Sequence, residues 1–217
     1  MTRALAGALA IACAGCGDNT RVLDAALDTP AGAPDLALVA ARMDGSALVT
    51  EQAFAATDCE VIEGCVGGLG ARRLLRFNTV TANVGTADLV LGKTPPAGTS
   101  DGVFVWSPCH MHHHVAGYAA FSLWDGDALV VTGRKQAFCL EDDAQVAPGT
   151  PSHGYRCNFQ GMTVGWADVY GRDLPCQWLD VTEVPPGTYR LRVEIDAEHV
   201  LPDSDPSNNT WMNVVTL

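Results

Sequence analysis

The sequence predicts an all-β fold, namely an antiparallel β-sandwich with long functional loops. Residues 188–195 alternate polar and apolar side chains, which is the period of a strand with one buried face. Asp125-Gly126-Asp127 lies between two apolar runs and is a hairpin signal. No segment after the first 16 residues has a long helical period, so we expect a fold built from sheets.

The predicted strands follow one another along the chain with turn residues between them. Asn83-Val84-Gly85 separates the first two, and Pro185-Pro186-Gly187 forms the turn before the alternating segment. In order, the predicted strands are residues 74–80, 87–91, 121–124, 128–131, 188–195 and 211–217.

The first 16 residues are typical of an export signal. Arg3 precedes an apolar run, residues 4–12, that is too short to span a membrane. The run ends in a segment similar to a bacterial lipoprotein cleavage site, with Cys16 as the lipidated residue; Cys13 and an uncleaved anchor remain alternatives. We therefore expect a signal at 1–16, a linker at 17–33 and one folded domain at 34–217. The domain would lie in the periplasm, on the outer membrane or outside the cell.

The chain is acidic, with 13 basic and 25 acidic residues and a formal net charge of −12. That balance argues against nucleic acid as a partner and favours cationic substrates through long-range electrostatic steering. No apolar run after the signal is long enough to span a membrane, so the expected membrane contact is a lipid anchor at Cys16.

Four of the six histidines lie in residues 109–114. Alternate side chains of a strand share a face, so His110, His112 and His114 point one way and His113 the other. Two strand residues advance about 6.6 Å, so three imidazoles meet on one ion only if the strand bends. Such a site suits copper, zinc, nickel or iron. The alternative is a solvated histidine run.

Cysteine spacing favours disulfides over a thiolate metal site. An even set of six cysteines follows the signal, and none of them forms a CxxC pair. In an exported protein this pattern predicts three disulfides. The six are Cys59, Cys65, Cys109, Cys139, Cys157 and Cys176.

Several motifs, in order, resemble the catalytic domain of the lysyl oxidase family, the copper-dependent amine oxidases of peptidyl lysine. Residues 106–114 are similar to its copper motif and residues 133–142 to the segment with its cofactor lysine. Residues 168–182 are similar to the segment with its cofactor tyrosine. The resemblance covers residues 34–217 and includes two departures, His113 in place of an aromatic residue and Arg134 in place of a histidine.

The resemblance implies copper on His110, His112 and His114, with Lys135 and Tyr170 as precursors of a lysine tyrosylquinone. Peptidyl lysine or a small primary amine would then be oxidised by O₂ to an aldehyde, releasing H₂O₂ and NH₃.

Asp168, two residues before Tyr170, is a candidate catalytic base. Two alternatives remain. One is a copper-binding lipoprotein on the same fold that needs neither Lys135 nor Tyr170, and the other is an inert β-sandwich module.

The resemblance also implies disulfides and a structural calcium site. The implied pairs are Cys59–Cys109, Cys65–Cys176 and Cys139–Cys157. Residues 201–209 concentrate carboxylates and amides, which are hard oxygen ligands that suit Ca²⁺. The alternative is a polar turn whose side chains bond their own backbone. The expected calcium residues are Asp35, Leu36, Asp203, Asp205, Asn208 and Asn209.

Overall fold

The computed structural model describes residues 32–133 and 139–217. These residues form fifteen strands, two four-residue helices and one 3₁₀ helix. In chain order the elements are β1 Leu36–Leu38, α1 Ala40–Met43, β2 Leu48–Phe54, α2 Cys59–Ile62, β3 Gly70–Arg76, β4 Thr79–Asn83, β5 Leu89–Lys93, β6 Phe104–Ser107, β7 His112–Val115, β8 Ala119–Asp125, β9 Ala128–Thr132, β10 Ala144–Gln145, β11 Phe159–Met162, β12 Trp166–Tyr170, β13 Trp178–Asp180, β14 Thr188–Ile195, the 3₁₀ helix Pro206–Asn208 and β15 Thr210–Thr216.

The strands pair antiparallel in several sheets, as the sequence predicts. Two sheets have four strands, in the orders β1-β4-β12-β10 and β15-β14-β8-β9, and a third has the order β13-β3-β2. The pairs β5–β11 and β6–β7 form two smaller sheets. One hydrophobic core lies between the three larger sheets and includes Leu75, Val80, Leu123 and Leu191. The predicted all-β fold is therefore confirmed.

The strand predicted at residues 74–80 is wrong, because the chain changes sheets within it. β3 ends at Arg76 and β4 begins at Thr79. Between them, Phe77 is fully buried and packs edge-on against Phe121, with ring centroids 4.8 Å apart. Asn78 donates its backbone N–H to the Ser46 hydroxyl at 3.0 Å instead of to a neighbouring strand.

The other predicted strands are found with small shifts of their ends. β14 has the predicted bounds 188–195, and β15 begins one residue earlier than predicted. Gly126, with φ of 57°, turns the chain between β8 and β9 as the hairpin signal predicts. The strand predicted at 87–91 lies two residues later, at 89–93.

Three disulfides tie the loops to this framework, and they join the same cysteines that the resemblance implies. They are Cys59–Cys109, Cys65–Cys176 and Cys139–Cys157, with Cα–Cα distances of 5.7, 5.3 and 5.2 Å. Cys65 and Cys176 belong to a second, smaller apolar cluster with Phe54, Leu74 and Trp178. In the part of the chain that the structure describes, no helix is both long and apolar enough to cross a bilayer.

Candidate metal and cofactor site

A short hairpin presents the three histidines. β6 and β7 pair from Phe104 opposite Val115 to Ser107 opposite His112. His110 therefore lies in the connecting turn, and Met111 has a left-handed backbone with φ of 57°. This residue supplies the bend that three converging imidazoles require.

The three imidazoles converge on one point. One ring nitrogen from each of His110, His112 and His114 lies within 4.8 Å of the others. The Nδ1 of His110 and the Nε2 of His114 are 3.3 Å apart. Two nitrogens bound at about 2.0 Å to a metal are roughly 2.8–3.3 Å apart at ordinary coordination angles. The spacing of the His110–His114 pair and the three imidazole donors therefore suit a first-row metal ion such as copper.

His113 points to the opposite side of the hairpin. It is 3% exposed, and its Nε2 lies 2.8 Å from the carbonyl oxygen of Thr99. Its ring packs edge-on against Trp106, with centroids 4.9 Å apart. Its position agrees with the alternation of a strand and explains why it does not join the other three histidines.

Burial lowers the pKa of His112, and the nearby His110 lowers it further. Both effects disfavour the imidazolium form. A neutral imidazole is the form that binds a metal, so His112 is available as a ligand near neutral pH.

Sequence reasoning missed two residues beside the histidines, Glu63 and Ser107. Glu63 Oε2 lies 3.8 Å from Nε2 of His110, and the Glu63 side chain is 3% exposed. The Ser107 hydroxyl donates a hydrogen bond to Glu63 Oε1. The implied Cys59–Cys109 bridge was a usable signal, because it brings the loop of Glu63 next to His110.

Tyr170 ends β12 with its hydroxyl held by backbone groups. The Cys139 N–H donates to the phenol oxygen at 2.6 Å, and the phenol donates to the Cys139 carbonyl at 3.0 Å. Burial, followed by the nearby Asp168, raises the pKa of Tyr170 well above its usual value. The phenol is therefore neutral at physiological pH.

One pocket of about 450 Å³ is lined by His110 and His112 on one side and by Tyr170. His112 and the Cys139–Cys157 disulfide lie against each other in it, and the bonded sulfurs offer no thiolate ligand. The lining residues are His110, His112, Cys139, Glu141, Asp143, Cys157, Val169, Tyr170, Leu174 and Pro175. A metal on the histidines and the phenol ring would thus face the same space.

Asp168 is not among the residues that line this pocket. Asp168 is 1% exposed, and burial, followed by Asp143, raises its pKa well above the usual value. Glu141 and Asp143 line the pocket themselves. Burial, followed by Asp143, also raises the pKa of Glu141. Asp168 as the base stays a prediction, and these two carboxylates, which sequence reasoning missed, are better placed to meet a substrate.

Lys135 lies outside the described residues, four positions before Cys139 in the sequence. Its role as a cofactor precursor stays a prediction.

The structure brings the amino-terminal strand to the loop that precedes β15. Asn208 Nδ2 donates to Asp35 Oδ1 at 2.8 Å, and the Leu36 N–H donates to Asp203 Oδ1 at 3.2 Å. Asn209 Nδ2 donates to the other oxygen of Asp203 at 2.8 Å. The contacts of Asp35 and Leu36 join positions 173 and 167 residues apart in the sequence.

Two amide oxygens in this loop are available to a cation. The Oδ1 atoms of Asn208 and Asn209 are buried, and neither has a hydrogen-bond partner among the described residues. Asp205 caps the 3₁₀ helix, where its carboxylate accepts from the Ser207 N–H at 3.1 Å. The bonds to Ser207 lower the pKa of Asp205, so this carboxylate is ionised.

Comparison with known proteins assigns the chain to a family. The profile of the lysyl oxidase family, described as "Lysyl oxidase", matches residues 34–216, which is most of the chain. The chain belongs to the lysyl oxidase family. It is 36% identical over 192 residues to lysyl oxidase homolog 2 of Rattus norvegicus and 34% identical to that of Homo sapiens. Each of these matches covers 82% of this chain.

Lysyl oxidase homolog 4 of Bos taurus matches a longer part of this chain. It is 32% identical over 209 residues, which is 89% of this chain and 26% of the relative. For the homolog 2 proteins the matched part is 24% of their length. The chain thus spans about a quarter of the length of these curated relatives.

Proposed function

We propose that this lysyl oxidase family member is a copper-dependent amine oxidase with a lysine tyrosylquinone made from Lys135 and Tyr170. The observation that carries the proposal is the pocket lined by Tyr170 and by His110 and His112, two of the three clustered histidines. The net reaction consumes a primary amine, O₂ and water and yields an aldehyde, NH₃ and H₂O₂. Peptidyl lysine and small amines are both candidate substrates.

His110, His112 and His114 would hold the copper, and the backbone of Cys139 orients the phenol of Tyr170. When formed, the quinone supplies an electron sink that no unmodified side chain provides, and copper with O₂ supplies the oxidant that forms it. The disulfide at Cys139 keeps this backbone segment against His112. In this proposal the chain would hold the copper ion and orient the Tyr170 phenol before the quinone forms.

The charge of the pocket supports a cationic substrate. Glu141 and Asp143 place two carboxyl groups in its wall. An ionised carboxylate attracts a substrate ammonium, and a carboxylate with a raised pKa is also suited to accept a proton near neutral pH. The overall net charge of −12 would also attract a cationic substrate, at longer range.

Peptide mass spectrometry of protein loaded with copper in air tests the proposal. We expect a crosslinked peptide pair joining Lys135 to Tyr170, together with a visible quinone chromophore and peroxide release on addition of a primary amine. A sample loaded with zinc in air is the control and should stay uncrosslinked. Copper-loaded protein without crosslink, colour or peroxide would favour the alternative, a copper-binding protein on this fold without catalysis.

We also propose that Ca²⁺ binds where Asp35 and Leu36 meet Asp203, Asp205, Asn208 and Asn209. The buried amide oxygens of the two asparagines support it, since a cation would satisfy them and a polar turn alone does not. Calcium would clip the first strand to the loop before the last one. Its role would therefore be structural.

Calcium should raise the melting temperature. At about 100 times its Kd it adds roughly 2.7 kcal/mol, or about 5–10 °C for a domain of this size, and excess EGTA should reverse the shift. Asp203→Asn should reduce the shift. Asp127→Asn, in the exposed turn between β8 and β9, should leave it unchanged. Equal melting temperatures in calcium and in EGTA would contradict the calcium site and favour the alternative of a polar turn.

The exported location is part of the same proposal. Three disulfides in the structure fit an oxidising compartment. A lipid anchor at Cys16 is the proposed link to a membrane.

A further inference from the structure

The carboxylate of Glu63 lies beside the imidazole of His110. Nδ1 of this imidazole faces His114 Nε2 at 3.3 Å, whereas Nε2 faces Glu63 Oε2 at 3.8 Å. The two ring nitrogens of His110 therefore have separate neighbours. The nitrogen beside the carboxylate is therefore not the one that faces His114.

Ser107 joins the carboxylate to the hairpin. Its hydroxyl donates to Glu63 Oε1, and its oxygen accepts the backbone N–H of His110 at 3.1 Å. Ser107 is 1% exposed and pairs with His112 at the end of β6. One buried serine thus connects Glu63 to the backbone of His110.

The position of Glu63 is set by its own loop. It follows α2 directly, where its N–H donates to the carbonyl of Cys59 at 2.7 Å. Cys59 is bonded to Cys109, the residue before His110, and Cys65 is bonded to Cys176. Two disulfides therefore fix the segment of Glu63 on both sides.

We infer that Glu63 is a positioning residue that orients the His110 imidazole for copper, in a carboxylate–histidine–metal arrangement supported by Ser107. The inference rests on the proposed copper site and adds to it a residue that does not itself bind the metal. A carboxylate beside Nε2 favours the tautomer with its proton on that nitrogen, which leaves the Nδ1 lone pair free for a metal.

The distance and the burial suit this role. At 3.8 Å the contact is in ion-pair range and longer than a direct hydrogen bond. A ring N–H becomes a stronger donor when the other nitrogen binds a cation, so the contact strengthens on metal binding. Since the Glu63 side chain is 3% exposed, water screens the interaction weakly.

The test uses the whole protein with three variants, Glu63→Ala, Glu63→Gln and Glu60→Gln. Glu60 is an acidic residue of α2, three positions before Glu63, and serves as the matched control. In metal-free protein at pH 8, imidazole ¹⁵N shifts report the His110 tautomer. Competition with a chelator gives the copper Kd, and electron paramagnetic resonance reports the copper donor set.

We expect the Nε2–H tautomer of His110 in the wild type and in Glu60→Gln, and a mixture in Glu63→Ala. Loss of an outer-shell partner costs about 10–100-fold in metal affinity, so the copper Kd of Glu63→Ala should rise by that factor. Glu63→Gln, which keeps a hydrogen-bond acceptor and the side-chain volume, should restore part of both effects.

An unchanged tautomer and a copper Kd within about twofold in Glu63→Ala would overturn the inference. A copper spectrum that loses an oxygen donor in Glu63→Gln would also overturn it, because Glu63 would then be a ligand. If the wild-type protein has the ordered tautomer but does not bind copper tightly, the role of Glu63 in orienting His110 would be supported. The proposed function would then be overturned.

Discussion

Tyr170→Phe and Lys135→Arg should each reduce amine oxidation to background while copper binding stays close to that of the wild type. Phenylalanine has no ring oxygen from which to form a quinone, and arginine keeps a positive charge but does not supply the lysine amine. Neither residue is one of the three histidines proposed to hold copper. Peroxide release with a primary amine and chelator competition for copper measure the two properties separately.

Folding must be checked for Tyr170→Phe, because the substitution removes two hydrogen bonds to Cys139. A buried N–H left without its partner costs about 1–3 kcal/mol. Tyr189→Phe is the matched control, because the Tyr189 hydroxyl also donates to a backbone carbonyl, that of Pro185 at 2.9 Å, and Tyr189 does not line the pocket. Full turnover in a folded Tyr170→Phe protein would contradict the assignment of Tyr170.

Replacing both Cys65 and Cys176 by alanine should lower the free energy of unfolding more than removing either of the other two disulfides. The bridge spans 111 positions, and in the chain-entropy model a loop of about 100 residues contributes about 4.7 kcal/mol. It also lies in the small apolar cluster, where the Trp178 indole donates to the Cys65 carbonyl at 3.1 Å. Urea unfolding of wild type and double variant measures the difference.

The Cys139–Cys157 bridge provides the comparison for that prediction. It spans 18 positions, and a loop of about 15 residues contributes about 3 kcal/mol in the same model. Its double alanine variant should therefore unfold at a higher urea concentration than the Cys65/Cys176 variant. The reverse order would show that loop length does not set the contribution of these bridges.

Local patterns predicted a strand best where the strand stays in one sheet and pairs with the same neighbouring strands along its whole length. Residues 188–195 form β14 as predicted, because its alternation matches a strand with one face on the core. Residues 74–80 have a similar apolar character but form parts of two strands. Phe77 is needed in the core and Asn78 bonds a distant loop, so tertiary contacts overrode the local pattern.

For the candidate site, the residue types and the alternation of the histidines were readable from the sequence. His112 and His114 share a face because side chains of a strand alternate, and His113 faces away for the same reason. The position of His110 was not determined by that rule, since it depends on the left-handed backbone of Met111 in the hairpin turn. The need for a bend was predictable, but its location was not.

The sequence by itself determined the all-β class, the histidine cluster and the even set of cysteines, because each depends on residue types and short spacings. Only the tertiary structure decided that Glu63 stands beside His110, that Tyr170 shares a pocket with His112, and that Glu141 and Asp143, not Asp168, line its wall. These neighbours are tens of residues apart in the chain. They meet because antiparallel pairing and disulfides close long loops, and local periodicity carries no information about such closure.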